Sequence, residues 1–365
     1  MINTLIVDDS ALARDILRDF LESEGSFNII GEAVDGEDGV QKILSLNPDL
    51  VTLDIDMPKM SGFEVIETVM KQTYVPIVVI TSRDTSKTAY EATLKGALEF
   101  YSKDMFTASM KPEKQREIYE TLKRISRIKI SENVNLPDTN SSAVFTSESK
   151  TAEVGDALDL PASAEQKAIR KRTIKAVVIA SSTGGPKALS RFFSLLPRDF
   201  PVPIAVVQHN SSGFDRSFAH WLDTYTALNV KIAEEGEVLK AGTVYIAQTD
   251  KHLMLRDVKD ADGKNLCAVY NDDPAENNQK PAADVLFRTA ADVLKEEVIS
   301  VVLTGMGSDG ALGTYRIHEN GGITLAQDEE SSLIYGMPKA AAETGCVDRV
   351  LPLDNIPQEL LNLVR

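Results

Sequence analysis

Basic residues are the first shortage in this chain: 39 Lys and Arg stand against 55 Asp and Glu in 365 residues, a formal charge of −16. That excess of acid argues against a nucleic-acid partner and against an anionic polymer as substrate. Cysteine is nearly missing. Cys267 and Cys346 have no metal-ligand spacing, and so few thiols fit a reducing compartment in which both stay free. No apolar run approaches the length needed to span a bilayer, and Met1-Ile2-Asn3 leads into a strand with no charged, cleavable leader. A cytoplasmic protein without direct membrane insertion is expected. Histidine numbers only four, which narrows the search for a catalytic base. Core-forming residues are plentiful: 43% hydrophobic content over this length is enough for two cores, so two domains are expected.

Thr4 to Val7 reads as a buried strand ending in Asp8-Asp9, and Leu12, Ile16 and Phe20 follow at helical spacing. Further strands are expected at Phe27 to Gly31, Leu50 to Leu53, Ile77 to Ile80 and Leu98 to Tyr101, separated by helical stretches such as those carrying Val40, Ile43 and Leu44, or Val65, Ile66 and Val69. Five βα units imply a doubly wound parallel sheet, whose functional crevice lies at the carboxyl ends of the strands. Those ends carry Asp8, Asp9, Asp54, Thr81 and Lys103. Three carboxylates form a hard-oxygen site suited to Mg²⁺, and a threonine and a lysine opposite them suit a phosphoryl group.

The runs Val7-Asp8-Asp9-Ser10, Leu53-Asp54-Ile55-Asp56-Met57-Pro58-Lys59-Met60-Ser61-Gly62, Ile80-Thr81-Ser82 and Phe100-Tyr101-Ser102-Lys103 resemble the receiver domain of two-component response regulators. The resemblance implies a flavodoxin-like domain over residues 1–125. It implies that Asp54 accepts phosphate from a sensor histidine kinase, that Asp8, Asp9 and Asp54 hold Mg²⁺, that Thr81 and Lys103 contact the phosphoryl oxygens, and that Phe100 takes the aromatic switch position. Asp104 departs from the pattern, because receivers usually have proline after the lysine.

From Ser131 to Glu165 the chain is dominated by Ser, Thr, Asn, Asp and Glu, with Phe145 the sole aromatic and Lys150 the sole basic residue. Such a composition cannot bury a core, and residues 126–170 are read as a polar interdomain linker. If fully flexible, the stretch from Ser131 to Glu165 would span roughly 30–35 Å. The basic cluster Lys167, Arg170, Lys171 and Arg172 is read as a solvated margin of the next domain.

In the carboxyl-terminal half, Ala176 to Ala180 is a β-branched run that ends in Ser181-Ser182-Thr183-Gly184-Gly185-Pro186 and turns into a helix on which Ala188, Leu189 and Phe192 share a face. A serine there sits beside the unpaired N–H groups of a helix start, where negative charge is stabilised, so Ser182 is a candidate nucleophile. Two more strands end in polar residues: Ile204 to Gln208 before His209, and Val298 to Leu303 before Thr304-Gly305-Met306-Gly307-Ser308-Asp309-Gly310. Parallel strands bring Ser182, His209 and Asp309 to one sheet edge as nucleophile, base and orienting acid. His220 and His318 fall in helical stretches and His252 in the polar loop Thr249-Asp250-Lys251, which leaves His209 as the best-placed base.

The order Ser, His, Asp is not that of the α/β-hydrolases. These segments, with Gly213-Phe214, Tyr245-Ile246-Ala247, Asp284-Val285-Leu286-Phe287 and Gly336-Met337-Pro338, resemble the catalytic domain of the chemotaxis protein-glutamate methylesterases. The resemblance, with the receiver in front, spans nearly the whole chain. It implies a catalytic α/β domain over residues 171–365, a serine ester hydrolase without a cofactor of its own, and methyl-accepting chemotaxis receptors as the substrate. Hydrolysis would release methanol from glutamate methyl esters, and some members of the family also deamidate glutamine. Backbone N–H groups at Thr183 or Met306 are candidates for the oxyanion site. Asn210-Ser211-Ser212 and Lys280-Pro281-Ala282-Ala283 depart from the family pattern, and both are candidates for lining the substrate groove.

Two other readings compete. Gly305, Gly307 and Gly310 spell a dinucleotide-binding fingerprint between a strand and a helix, although it comes late in the chain and gives Ser182 and His209 no role. A catalytically silent receptor-binding module under receiver control is the other.

Overall fold

The computed structural model describes residues 1–73, 75–82, 85–107, 110–128, 173–210, 213–260 and 263–364. The linker read over 131–165, the basic cluster at 167–172 and Ser211-Ser212 lie outside the described residues.

The first unit alternates strand and helix: β1 (Ile2–Val7), α1 (Ala11–Ser23), β2 (Phe27–Ala33), α2 (Gly36–Leu46), β3 (Leu50–Leu53), α3 (Gly62–Met70), β4 (Ile77–Thr81), α4 (Thr85–Lys95), β5 (Glu99–Ser102) and α5 (Pro112–Ile125). The strands form one parallel sheet in the order β2-β1-β3-β4-β5. Helices cover both faces, so β3 and β4 are buried along their whole length, the expected state of a strand flanked on two sides. Local chemistry fixes where helices begin. The Ser10 side chain accepts from the Ala13 N–H at the start of α1, Asp35 caps α2, and Ser61 and Glu64 form a reciprocal capping box on α3. The expected apolar face of α1 is corrected: Leu12 and Ile16 are 69% and 39% exposed, while Leu17 and Leu21 are buried. Ala13, Leu17 and Leu21 have the same spacing as Leu12, Ile16 and Phe20, and spacing alone cannot choose between parallel stripes. Of the expected trio, Phe20 packs, edge-on to Phe106.

The second unit comprises β6 (Ala176–Ser181), α6 (Gly185–Ser194), β7 (Ile204–Gln208), α7 (Asp215–Asp223), β8 (Asn229–Ile232), β9 (Thr243–Ile246), β10 (His252–Asp260), β11 (Gly263–Asn271), α8 (Ala283–Leu294), β12 (Val298–Val302), α9 (Ala311–Glu319), β13 (Ile323–Gln327), α10 (Met337–Glu343), β14 (Arg349–Leu351) and α11 (Ile356–Leu363). Seven strands form a parallel sheet in the order β14-β13-β12-β6-β7-β9-β8, and β10 and β11 form an antiparallel hairpin. All residues of β6, β7, β12 and β13 are buried. Each such Val, Ile or Leu contributes roughly 1.5–3 kcal/mol, which makes these strands the rigid base of the domain. The chain runs outward from β6 in both directions, to β7 on one side and β12 on the other, so a topological switch point lies at β6. His252 is not in a polar loop as its neighbours suggest; it opens β10 and is 1% exposed. Cys267 and Cys346 are not joined in a disulfide.

Candidate active site

Ser182, His209 and Asp309 follow β6, β7 and β12, three adjacent strands at the switch point. The strand ends are tied together by Gln208. Its amide nitrogen donates to the Ser182 and His209 carbonyls at 3.0 and 2.9 Å, and its amide oxygen accepts from the Ser181 hydroxyl at 2.7 Å. Close approach of backbones does the rest. A Cβ on Gly305 would stand 2.8 Å from the Ser182 Cβ, and Gly184 turns into α6 with φ at 79°, a conformation glycine adopts without strain. Gly307 and Gly310 also have positive φ, and Gly310 caps α9. Of the fingerprint glycines, Gly305 brings the loop after β12 against Ser182 and Gly310 starts α9, and the dinucleotide-binding reading is not favoured.

His209 Nε2 lies 2.8 Å from Asp309 Oδ2. The same Asp309 oxygen accepts from the Ala283 N–H at 2.7 Å, while Oδ1 accepts from Asp284 and Gly310 N–H groups at 2.9 and 3.0 Å. Helix α8 has no side-chain cap of its own, so Asp309 caps it from across the fold. Burial pushes the Asp309 carboxyl up, but the bond to His209 and the helix N–H groups outweigh it and hold the group below the ordinary carboxylate range. His209 Nδ1 is buried and has no hydrogen-bond partner among the described residues. Thr183 and Met306 line one cavity with Ser182 and His209, and among the described residues neither backbone N–H donates to a protein acceptor.

That cavity, about 150 Å³, lies between the two units. Tyr90, Phe100 and Arg124 of the first unit form its opposite wall. Around it the units are packed: Tyr90 is 4% exposed, stacks on Trp221 at 5.0 Å, lies 5.2 Å from Phe218, and donates its hydroxyl to the Phe214 carbonyl at 3.2 Å. Burial pushes the Tyr90 phenol well above its ordinary range, assisted by Glu99 and Asp215. Phe100 meets Phe214 edge-on at 5.6 Å.

After β1 and β3 of the first unit, Asp8, Asp9 and Asp54 each offer one oxygen within 4.8 Å of the others. Lys103 Nζ lies 2.6 Å from Asp8 and 2.8 Å from Asp54. Burial raises the Asp8 carboxyl above its ordinary value despite Lys103; burial alone would lower Lys103, yet its bonds to Asp54 and Asp8 raise it. The Arg14 guanidinium donates to the Asp8 and Asp9 carbonyls and fixes the loop. Thr81 ends β4 and is buried beside this cluster's sheet edge. A set of hard carboxylate oxygens, buried at Asp8 and Asp54 and exposed at Asp9, fits a small divalent cation that keeps some of its waters, because like charges this close need compensation.

Three residues escaped the reading of the sequence. Gln208 and Asp284 fall in runs that carry the family resemblance but received no role of their own, and Tyr90 was not singled out.

A family model for the CheB methylesterase matches residues 177–360, and one for the response regulator receiver domain matches residues 4–113. A protein-glutamate methylesterase/protein-glutamine glutaminase of Clostridium acetobutylicum is 37% identical over all of this chain and 98% of its own length. One from Thermotoga maritima is 36% identical over all of this chain and 99% of its own length. The crystal structure of the Thermotoga maritima CheB methylesterase catalytic domain superposes with a TM-score of 0.50 and 44% identity, covering 53% of this chain and 100% of that one. The chain belongs to the CheB methylesterase family, with a response regulator receiver domain ahead of the catalytic one.

Proposed function

We propose that this chain is a phosphorylation-regulated protein-glutamate methylesterase that hydrolyses glutamate methyl esters on chemoreceptors, with glutamine deamidation as a second reaction of the same site. Its parts are a receiver over 1–125, a linker over 126–170 and a catalytic domain over 171–365. The observation that carries the reading is that His209, bonded to the buried Asp309, lines one cavity with Ser182, walled by the receiver.

Ser182 Oγ attacks the ester carbonyl and His209 takes its proton. With Nε2 committed to Asp309, Nδ1 is the ring nitrogen left to do so. Asp309, ionised and anchored by three backbone N–H groups, stabilises the imidazolium. The oxyanion faces the Thr183 and Met306 N–H groups. His209 returns the proton to the leaving oxygen, methanol departs, and water, activated by the same base, releases the glutamate carboxylate. With a glutamine substrate the leaving group is ammonia.

Asp54 accepts a phosphoryl group from a sensor histidine kinase. Asp8, Asp9 and Asp54 would hold Mg²⁺, which offsets charge on the phosphoryl oxygens when bound. Thr81 and Lys103 meet the phosphate, and Phe100 carries the change to Phe214. Tyr90, Phe100 and Arg124 of the receiver line the cavity that Ser182 and His209 line from the other side, so the docked receiver stands where a receptor helix about 10–12 Å across has to approach the serine. The test is methanol release from methylated receptor. Phosphodonor with Mg²⁺ should raise it, Asp54→Asn should abolish the rise, and deletion of residues 1–130 should give activity without donor. A deleted form no more active than the unphosphorylated chain would remove the blocking role.

A further inference from the structure

Asp284 is 0% exposed and sits in the first turn of α8, one residue after the N–H that holds Asp309. Its own N–H donates to Asp309 Oδ1 at 2.9 Å. Its carboxylate reaches the other way: Oδ1 accepts from the Gly313 N–H of α9 at 2.6 Å, and Oδ2 accepts from the Asn277 amide at 2.7 Å. The segment carrying Asn277 is pinned to α8 a second time, one turn on, by the two bonds between Glu276 and Arg288 at 2.7 and 2.9 Å. It is pinned also by His252, whose Nδ1 accepts from the Ala282 N–H at 3.1 Å and whose Nε2 then donates to the Pro274 carbonyl at 3.1 Å. One carboxylate therefore joins α8, α9 and the 272–282 segment at the point where α8 grips Asp309.

We propose that Asp284 is a positioning residue for ester hydrolysis: through its bonds to Gly313 and Asn277 it holds the start of α8 so that Asp309 keeps His209 in its working orientation. The proposal rests on the reading of His209 and Asp309 as base and acid. Charge adds to the geometry. Asp309, Glu276 and Arg288 face Asp284 from the loop after β12, from the 272–282 segment and from α8 itself; His252 of β10 holds Ala282, two residues before Asp284, and α9 presents the Gly313 N–H. Burial, then the Asp309 charge, push the Asp284 carboxyl up to about 6. Protonation places an O–H where a donor must be accepted, so one of the two bonds is lost and the grip on Asp309 loosens as pH falls through that value.

The experiment compares the full-length, phosphorylated wild type with Asp284→Asn on methylated receptor across pH 5–8. The expected loss in kcat is about tenfold at the alkaline end, for a small displacement of a catalytic group, with KM little changed. The wild-type to variant ratio of kcat should fall toward one in acid, with its half-change near the Asp284 titration. A ratio that stays constant with pH, or a kcat equal to wild type, overturns the proposal. Asn277→Ala removes the bond that lowers the Asp284 carboxyl, so its acid limb should move to higher pH; this variant decides the matter if Asp284→Asn does not fold. An unmoved limb in Asn277→Ala also counts against it. The reading of the triad fails separately, if Ser182→Ala or His209→Ala keeps wild-type turnover.

Discussion

Truncating Tyr90 to alanine should release the receiver. The side chain is nearly fully buried between the units, in contact with the Trp221 and Phe218 rings, and its hydroxyl bonds the Phe214 carbonyl. Burial of such a ring is worth roughly 1.5–3 kcal/mol, two aromatic contacts about 0.5–1.5 kcal/mol each, and the hydrogen bond about 1 kcal/mol. These terms overlap, and a loss of about 3 kcal/mol is a conservative total, in line with aromatic truncations in cores. That corresponds to a factor of about 150 in the docking equilibrium. Without phosphodonor, Tyr90→Ala should therefore release methanol from methylated receptor at the rate of the phosphorylated wild type, and donor should add little. Tyr90→Phe keeps the ring and should move only part of the way. Docking can be read independently, because Trp221 is the one tryptophan in the chain and lies under Tyr90, so its emission should shift to the red on release. A red-shifted Tyr90→Ala protein with unchanged basal turnover would refute the reasoning, since the contact would be broken without freeing the site.

Further outcomes are expected. Ser182→Ala and His209→Ala should each remove most esterase activity, and the double variant should lose hardly more than either alone, as kinetics of single and combined variants on methylated receptor will measure. Chelation of divalent cations should stop phosphorylation of Asp54 while leaving hydrolysis by residues 171–365 untouched, because the carboxylate cluster lies in the receiver; the readouts are phosphate incorporation and methanol release. Asp284 carries a sign for stability as well. Its carboxyl titrates at an ordinary 3.8 when unfolded and about 6 when folded, so the native state binds the extra proton between those values and wild-type stability falls as pH rises through them. Relative to wild type, Asp284→Asn should gain about 2 kcal/mol in unfolding free energy between pH 4 and pH 7, measured by denaturant titration at each pH.

Much of the architecture was legible because parallel strands buried on both faces read as short β-branched runs, and because their polar ends are where a doubly wound sheet gathers its chemistry. Asp8, Asp54, Ser182, His209 and Asp309 all stand at such ends. What stayed hidden depends on distance along the chain. Asp309 caps α8 over separations of 26 and 25 residues, a relation that no local pattern contains. Tyr90 contacts a carbonyl 124 residues away. His252 was misread because its neighbours Thr249, Asp250 and Lys251 are polar, while its own surroundings are supplied by Pro274 and Ala282. The buried stripe of α1 was misassigned for a different reason: two stripes had equal periodicity, and the choice between them is made by β1 and β2.

Because Asp309 caps α8 as well as bonding His209, the orienting role proposed for it changes what its presence can tell a reader of related sequences. A descendant of this protein that lost its chemistry would still need an acceptor for the N–H groups at the start of α8, so selection for foldability alone would keep an aspartate there. The Ser182 hydroxyl has no hydrogen-bond partner among the described residues and carries no such obligation. Under the proposed mechanism, serine is the informative one in relatives where the two positions disagree: its replacement would mark a silent enzyme, whereas a retained aspartate says only that the helix still needs its cap.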